Sequence, residues 1–416
     1  MQSVKQNVMV GQSGGPTAVI NSSLAGVFKT AKDRGAKKVY GMVHGIQGLL
    51  DERYVDLSEH IRCDLDIELL KRTPSSFLGS CRYRLPEVEL GNEIYERIFK
   101  ILNTLEVKYF FYIGGNDSMD TIKKLTDYGK LIESDIHFMG VPKTIDNDLA
   151  VTDHTPGFGS AAKYIGAITK EVIRDGLVYD IPNVTILEIM GRNAGWLTAA
   201  AALARCEDCE GPDMIFLPEV PFDYDTFIQK IKELQKKKNA IVIAVSEGIK
   251  VEDGRYVCEL RQTGPEYIDA FGHKALTGTA RYLADRVAAE LGCKTRAIEF
   301  ATLQRCASHI VSRVDITEAY QVGGAAVKAA FEGANGQMVI LKRVSDDPYM
   351  CVTDIFDVHA IANVEKKVPL EWITEGKDYV TSELVSYIKP LIQAELTPVM
   401  VDGLPRHITL SDKGHR

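Results

Sequence analysis

Gly114-Gly115-Asn116-Asp117-Ser118 and Pro142-Lys143-Thr144-Ile145-Asp146-Asn147-Asp148 bring together the residue types that phosphoryl chemistry uses. The first offers two glycines, whose backbone N–H groups can approach phosphate oxygens with no Cβ in the way. The second places a lysine, a threonine and two aspartates within six residues. A cation can grip a phosphate, a carboxylate can hold Mg²⁺, and a second carboxylate can take a proton from a hydroxyl. A third stretch, Gln12-Ser13-Gly14-Gly15-Pro16, adds another Gly-Gly turn. Each piece also has an ordinary reading. Gly14-Gly15 alone is plain turn chemistry, Asp117 alone could cap a following helix, and Lys143 alone could be a solvated loop lysine.

The elements around these stretches must position them. Each follows a short apolar, β-rich run: residues 8–11, 109–113 and 138–141. All three therefore sit where a strand gives way to a loop, the edge at which open α/β sheets bind ligands. Leu24, Val27, Phe28 and Ala31 recur at helical spacing and predict a helix over 21–32, whose N-terminal amides and dipole would favour an anion near Gly14-Gly15. The turn matches neither the Walker nor the dinucleotide glycine pattern. Further strands are expected over 38–43, 183–188, 213–217, 240–245 and 296–302, with helices between. The clearest helix spans 160–174, with Ala161, Tyr164, Ile165, Ile168 and Val172 on one stripe. This alternation argues an α/β protein with two mainly parallel sheets.

Length and composition agree with a globular enzyme of two or more domains: 45% of residues are apolar and 25% charged. Net charge is −8, and the one basic block, Lys236-Lys237-Lys238, reads as the solvated end of a helix, so no nucleic-acid surface is expected. No apolar run is long enough to span a membrane, the N-terminus does not read as a signal peptide, and a cytoplasmic location is expected. Cys206 and Cys209 have metal-type spacing but no second ligand pair, so reduced thiols are expected.

Taken together, Gly14-Gly15 with Asn21, Phe77-Leu78-Gly79-Ser80-Cys81-Arg82, Gly114 to Ser118, Pro142 to Asp148, Met190-Gly191-Arg192, Ser246-Glu247-Gly248, Thr295-Arg296 and Gln304-Arg305 resemble the phosphofructokinase family in order and spacing, over roughly residues 8–336. Asp117 and Lys143 stand where ATP-using members have glycines, so the chain looks like the pyrophosphate-dependent branch. The physics agrees. Asp117 would obstruct and repel a nucleotide's α-phosphate, and Lys143 would neutralise charge on a pyrophosphate that has no nucleoside to anchor it.

The resemblance implies two Rossmann-like, three-layer domains with the active site in the cleft between them. The donor domain would be residues 1–157 plus 304–364, and the sugar-phosphate domain 158–303 plus 365–416. It implies transfer of a phosphoryl group from pyrophosphate to the 1-hydroxyl of fructose 6-phosphate. Asp146 would be the base, Asp148 would orient it or the sugar, and Thr144 would bond the moving group. Lys143 and Arg192 would stabilise its charge. Gly14, Gly15, Arg82, Gly115, Asp117 and Ser118 would line the donor site. Met190, Gly191, Arg192, Glu247, Arg296 and Arg305 would bind the sugar phosphate, with one arginine from a neighbouring subunit, implying a homodimer or homotetramer. Mg²⁺ falls to Asp117, with Asn116 a weaker candidate because it is neutral where many relatives carry aspartate. Thr302 and Asn183 depart from the substrate-contacting histidine and cross-subunit arginine of bacterial ATP-using members, and Tyr267, His273 and Lys274 are candidates to complete the 6-phosphate site. The other readings are an ATP-dependent phosphofructokinase and a catalytically silent regulatory subunit. An intact Thr144 to Asp148 segment argues against the second.

Overall fold

The computed structural model describes residues 6–260 and 276–410. Five strands come first: β1 (Asn7–Gln12), β2 (Val39–Met42), β3 (Tyr54–Asp56), β4 (Val107–Gly114) and β5 (His137–Pro142). Four follow in the middle of the chain: β6 (Asn183–Ile189), β7 (Met214–Phe216), β8 (Ala240–Ser246) and β9 (Lys294–Glu299). A hairpin follows, β10 (Gln337–Asp346) and β11 (Tyr349–Asp357). They form two sheets, one ordered β11-β10-β5-β4-β1-β2-β3 and the other β7-β8-β6-β9. The second is parallel throughout; in the first only β3 and β11 run antiparallel to their neighbours.

The continuous apolar runs become strands because helices cover both faces. β1 and β8 are buried along their whole length, and β4 and β5 nearly so. Two apolar cores flank the first sheet and two flank the second. On the first sheet the helices Ile20–Asp33 and Arg313–Phe331 cross at glycines. A Cβ on Gly26 would run into the Tyr320 carbonyl, and one on Gly323 into the Ser23 carbonyl. The mainly parallel α/β architecture is as expected from the alternation.

The sequence reading missed β3, β10 and β11, and it placed the last strand of the second sheet too far along. That strand ends at Glu299, and Thr302 precedes a short helix, Leu303–Cys306. Only residues 338–341 of the hairpin are fully buried; beyond them it is half-exposed and charged, so no apolar run marks it. The segment from 368 to 392, including the helix Ser382–Ile388, packs into a core of the second sheet through Val368, Ile373, Val380, Leu384, Ile388 and Leu391. Ile408 and Leu410 return to the first sheet's core. Among the described residues no helix is long and apolar enough to cross a membrane.

Candidate active site

A cleft of about 480 Å³ opens at the carboxyl ends of β4, β5, β6 and β8. Its walls bring together Gly14, Gly15, Arg82, Gly115, Asn116, Asp117, Ser118, Lys143, Thr144, Asp146, Asp148, Met190, Arg192, Glu247 and Arg305.

 The spread is wide in sequence, from Gly14 to Arg305, and the shared strand direction is what gathers it.

At the tip of β4 the helix Asn116–Leu131 starts at once, with Gly115 as its N-cap residue. Asp117 is therefore in the first helical turn and makes no cap bond. Its carboxylate lies 3.6 Å from the Arg84 guanidinium. The Asn116 carboxamide, oriented to satisfy both its groups, donates through Nδ2 to the carbonyls of Val364 (3.2 Å) and Ile361 (3.3 Å), which marks it as a tether.

At the tip of β5 the Lys143 ammonium is buried and donates to the Gly15 carbonyl at 2.6 Å. Burial pulls its pKa down to about 8, against the upward pull of Asp146 and Asp148. Thr144 Oγ1 accepts from the Asp146 N–H at 3.1 Å. Burial raises the Asp146 carboxyl above its usual range, opposed by Lys143 and Arg192. Burial, with Asp146 and Glu365 beside it, brings Asp148 to about 7. Glu247, at the tip of β8, is pushed to about 8 by burial and by Asp146, and its Oε1 accepts from the Gly191 N–H at 3.4 Å. Asp148 and Glu247, poised near neutrality, and the raised Asp146, beside one lysine and three arginines, can hold anions and exchange a proton.

The expected helix over 21–32 is observed as Ile20–Asp33, and the Gly14 N–H donates to the Cys81 carbonyl. Three expectations change. Gly191 is buried behind the wall, its carbonyl accepting from Ser246 Oγ. Arg305 was expected on the sugar phosphate. Its Nη1 lies only 3.2 Å from where a Cβ on Gly15 would sit, and burial together with Arg82 lowers its pKa, so it stands at the Gly14-Gly15 turn. Arg296 is not in the cleft: it pairs with Asp175 at 3.1 Å, beside Tyr179, Ile181, Asn183 and Lys294. Asn183 Nδ2 donates to the Ile181 carbonyl at 3.0 Å, and Thr302 is exposed. Tyr267, His273 and Lys274 lie outside the described residues.

The structure adds Arg84, Asn193, Asn363 and Glu365 to the walls. Arg84 had a signal, being one strand-like step of two from Arg82. Asn363 and Glu365 had none, since they arrive from the segment after the hairpin. Cys206 and Cys209 pair only through their backbones across a tight turn.

The family model described as "Phosphofructokinase" matches residues 7–330. A pyrophosphate--fructose 6-phosphate 1-phosphotransferase of Halomonas elongata is 39% identical over 97% of this chain and 95% of its own length. One of Xanthomonas campestris is 40% identical over 98% and 96%. The crystal structure of a pyrophosphate-dependent phosphofructokinase from Nitrosospira multiformis superposes with a TM-score of 0.88 at 36% identity, covering 98% of this chain and 97% of that one. With the family model spanning most of its length and near-full-length relatives close to 40% identical, the chain belongs to the phosphofructokinase family.

Proposed function

We propose that the protein reversibly transfers the distal phosphoryl group of pyrophosphate to the 1-hydroxyl of fructose 6-phosphate, giving fructose 1,6-bisphosphate and orthophosphate. The observation that carries this reading is the buried Lys143 ammonium on the Gly15 carbonyl, with Asp117 across the same end of the cleft. A fixed cation there suits a compact, highly charged donor, and a carboxylate there opposes a nucleotide. The names of the near-full-length relatives support the same donor.

In this reading Asp146 takes the proton of the 1-hydroxyl as its oxygen attacks phosphorus. The P–O bond to the bridging oxygen breaks, and orthophosphate leaves with that electron pair. Burial raises the Asp146 pKa, which brings a carboxylate closer to the ideal strength for a base near neutral pH. Lys143, Thr144 and Arg192 stabilise the moving group, and Gly15, Arg82 and Arg305 hold the donor. Asp148, Met190 and Glu247 face the sugar. A divalent ion, Mg²⁺, would be held by Asp117 together with pyrophosphate oxygens. One exposed-edge carboxylate fits an ion that usually keeps several waters and takes only one or two protein ligands. Such an ion would neutralise donor charge.

The donor body would be residues 1–157 with 304–364 and the sugar body 158–303 with 365–416. The partition of strands between the two sheets supports this split, apart from the return of Ile408 and Leu410. A homodimer or homotetramer in the cytoplasm belongs to the same reading. Arg296 would reach the cleft of a second copy, supported by its place beside the exposed Tyr179 and Ile181. Phosphorylation of fructose 6-phosphate with pyrophosphate and with ATP, side by side, tests the donor. Faster turnover with ATP would refute it.

A further inference from the structure

Asn147 lies between the two cleft aspartates but points away from them. It is buried, with φ +53°, while Asp146 and Asp148 line the cleft. Asparagine tolerates this left-handed conformation better than most residues, and here its surroundings fix its side chain. Those surroundings come largely from the C-terminal part of the chain. Asn147 Nδ2 donates to Tyr387 Oη at 2.9 Å, and Tyr387 Oη donates onward to the Asp153 carbonyl at 2.6 Å. One hydroxyl has one proton, so accepting from Asn147 while donating to Asp153 fixes the direction of both bonds. Asn147 Oδ1 accepts from the Thr155 N–H at 3.1 Å and lies 3.4 Å from Lys366 Nζ. That ammonium also donates to the Asp153 carbonyl (2.7 Å) and the Thr152 carbonyl (3.2 Å), and the Lys366 N–H donates to the Asp148 carbonyl at 2.7 Å. Arg343 closes the arrangement, donating to the Tyr387 carbonyl at 3.0 Å and to Asp153 Oδ2 at 3.1 Å.

We propose that Tyr387 and Lys366 are positioning residues: through the Asn147 carboxamide they hold Asp146 and Asp148 on the cleft side of their loop. The inference rests on the phosphoryl-transfer reading for its kinetic consequence. It gives the segment beyond residue 364 a part in the reaction, although neither side chain lines the cleft.

The test is Tyr387→Phe, which removes one oxygen and keeps the ring against Trp196 and Trp372. Its kcat should fall about 10- to 100-fold, the scale of a misplacement near 1 Å, while KM for both substrates stays within about threefold of wild type. Amide hydrogen exchange over residues 144–155 should accelerate. Lys366→Met should act in the same direction. Val385→Ala, which trims apolar packing on the same helix, should lower Tm and leave kcat and the loop's exchange alone. Combined with Asn147→Ser, Tyr387→Phe should add little further loss of kcat, because the hydroxyl acts through that carboxamide. Wild-type kcat and unchanged loop exchange in Tyr387→Phe would overturn the proposal, as would losses that multiply in the double variant. A wild type that turns over neither donor would refute the functional reading instead, and the exchange comparison would still decide whether Tyr387 holds the loop.

Discussion

Lys143→Met separates what the buried ammonium does for the reaction from what it does for the fold. The side chain is 3% exposed, and its Nζ sits on the Gly15 carbonyl, 3.4 Å from where a Cβ on Gly14 would lie. A phosphoryl oxygen about 4 Å away would feel roughly 4 kcal/mol of attraction at an effective dielectric near 20. Part of that is present in the bound ground state. Removing one charge-stabilising donor from an active site costs about 2.7–4 kcal/mol in other enzymes. A loss of about 3 kcal/mol, on the order of 150-fold in kcat/KM for pyrophosphate, is therefore expected. Stability should move the other way. Burial lowers the folded-state pKa from 10.5 to about 8, so the charged form is disfavoured in the native protein. That penalty, on the order of 3 kcal/mol, is full below pH 8 and is relieved as pH rises towards 10.5. At pH 7 Lys143→Met should thus unfold at higher urea than wild type while turning over far more slowly. In wild type, kcat/KM for pyrophosphate should also fall as pH rises through about 8, because the free enzyme loses this proton. The assay is steady-state turnover at fixed free Mg²⁺ and saturating fructose 6-phosphate, beside urea melts of both proteins. A variant keeping more than about a tenth of wild-type kcat/KM would refute the role in charge stabilisation. A lower urea midpoint would refute the claim that the buried charge burdens the fold.

Asp146→Asn keeps the shape of the side chain but cannot accept the proton, so kcat should drop at least about 100-fold with KM little changed; retention of a tenth of wild-type kcat would remove Asp146 as the base. Asp117→Gly clears bulk and charge from the donor path and releases Arg84, so ATP turnover should rise; unchanged ATP activity would mean that the donor is selected elsewhere. Gly323→Ala places a Cβ against the Ser23 carbonyl where two helices cross, and should cost about 1–3 kcal/mol, read as a lower urea midpoint with unaltered kcat. An unchanged midpoint would show that the crossing can spread at little cost.

The strands that build the cleft were legible because they are buried and parallel. β1, β4, β5, β6 and β8 are short apolar runs with glycine, polar or charged residues at the carboxyl end, and that pattern states both the strand and the loop to inspect. β3 and the β10–β11 hairpin escaped because they are short, or exposed on one side, and owe their place to neighbours rather than to local pattern.

By itself the sequence determined the chemical inventory: two glycine turns, Lys143 to Asp148, and the arginines and glutamate at later strand ends. Residue type and position after a strand are local properties, so reading them needs no knowledge of the packing. Tertiary structure decided which of them meet. It put Arg305 beside Gly15, left Arg296 on the surface with Asp175, and carried Asn363 and Glu365 into the wall. It also brought Tyr387 and Lys366 onto a loop more than two hundred residues earlier. Such contacts follow from how the two sheets and the final segment pack, and no short stretch of sequence records a partner that distant.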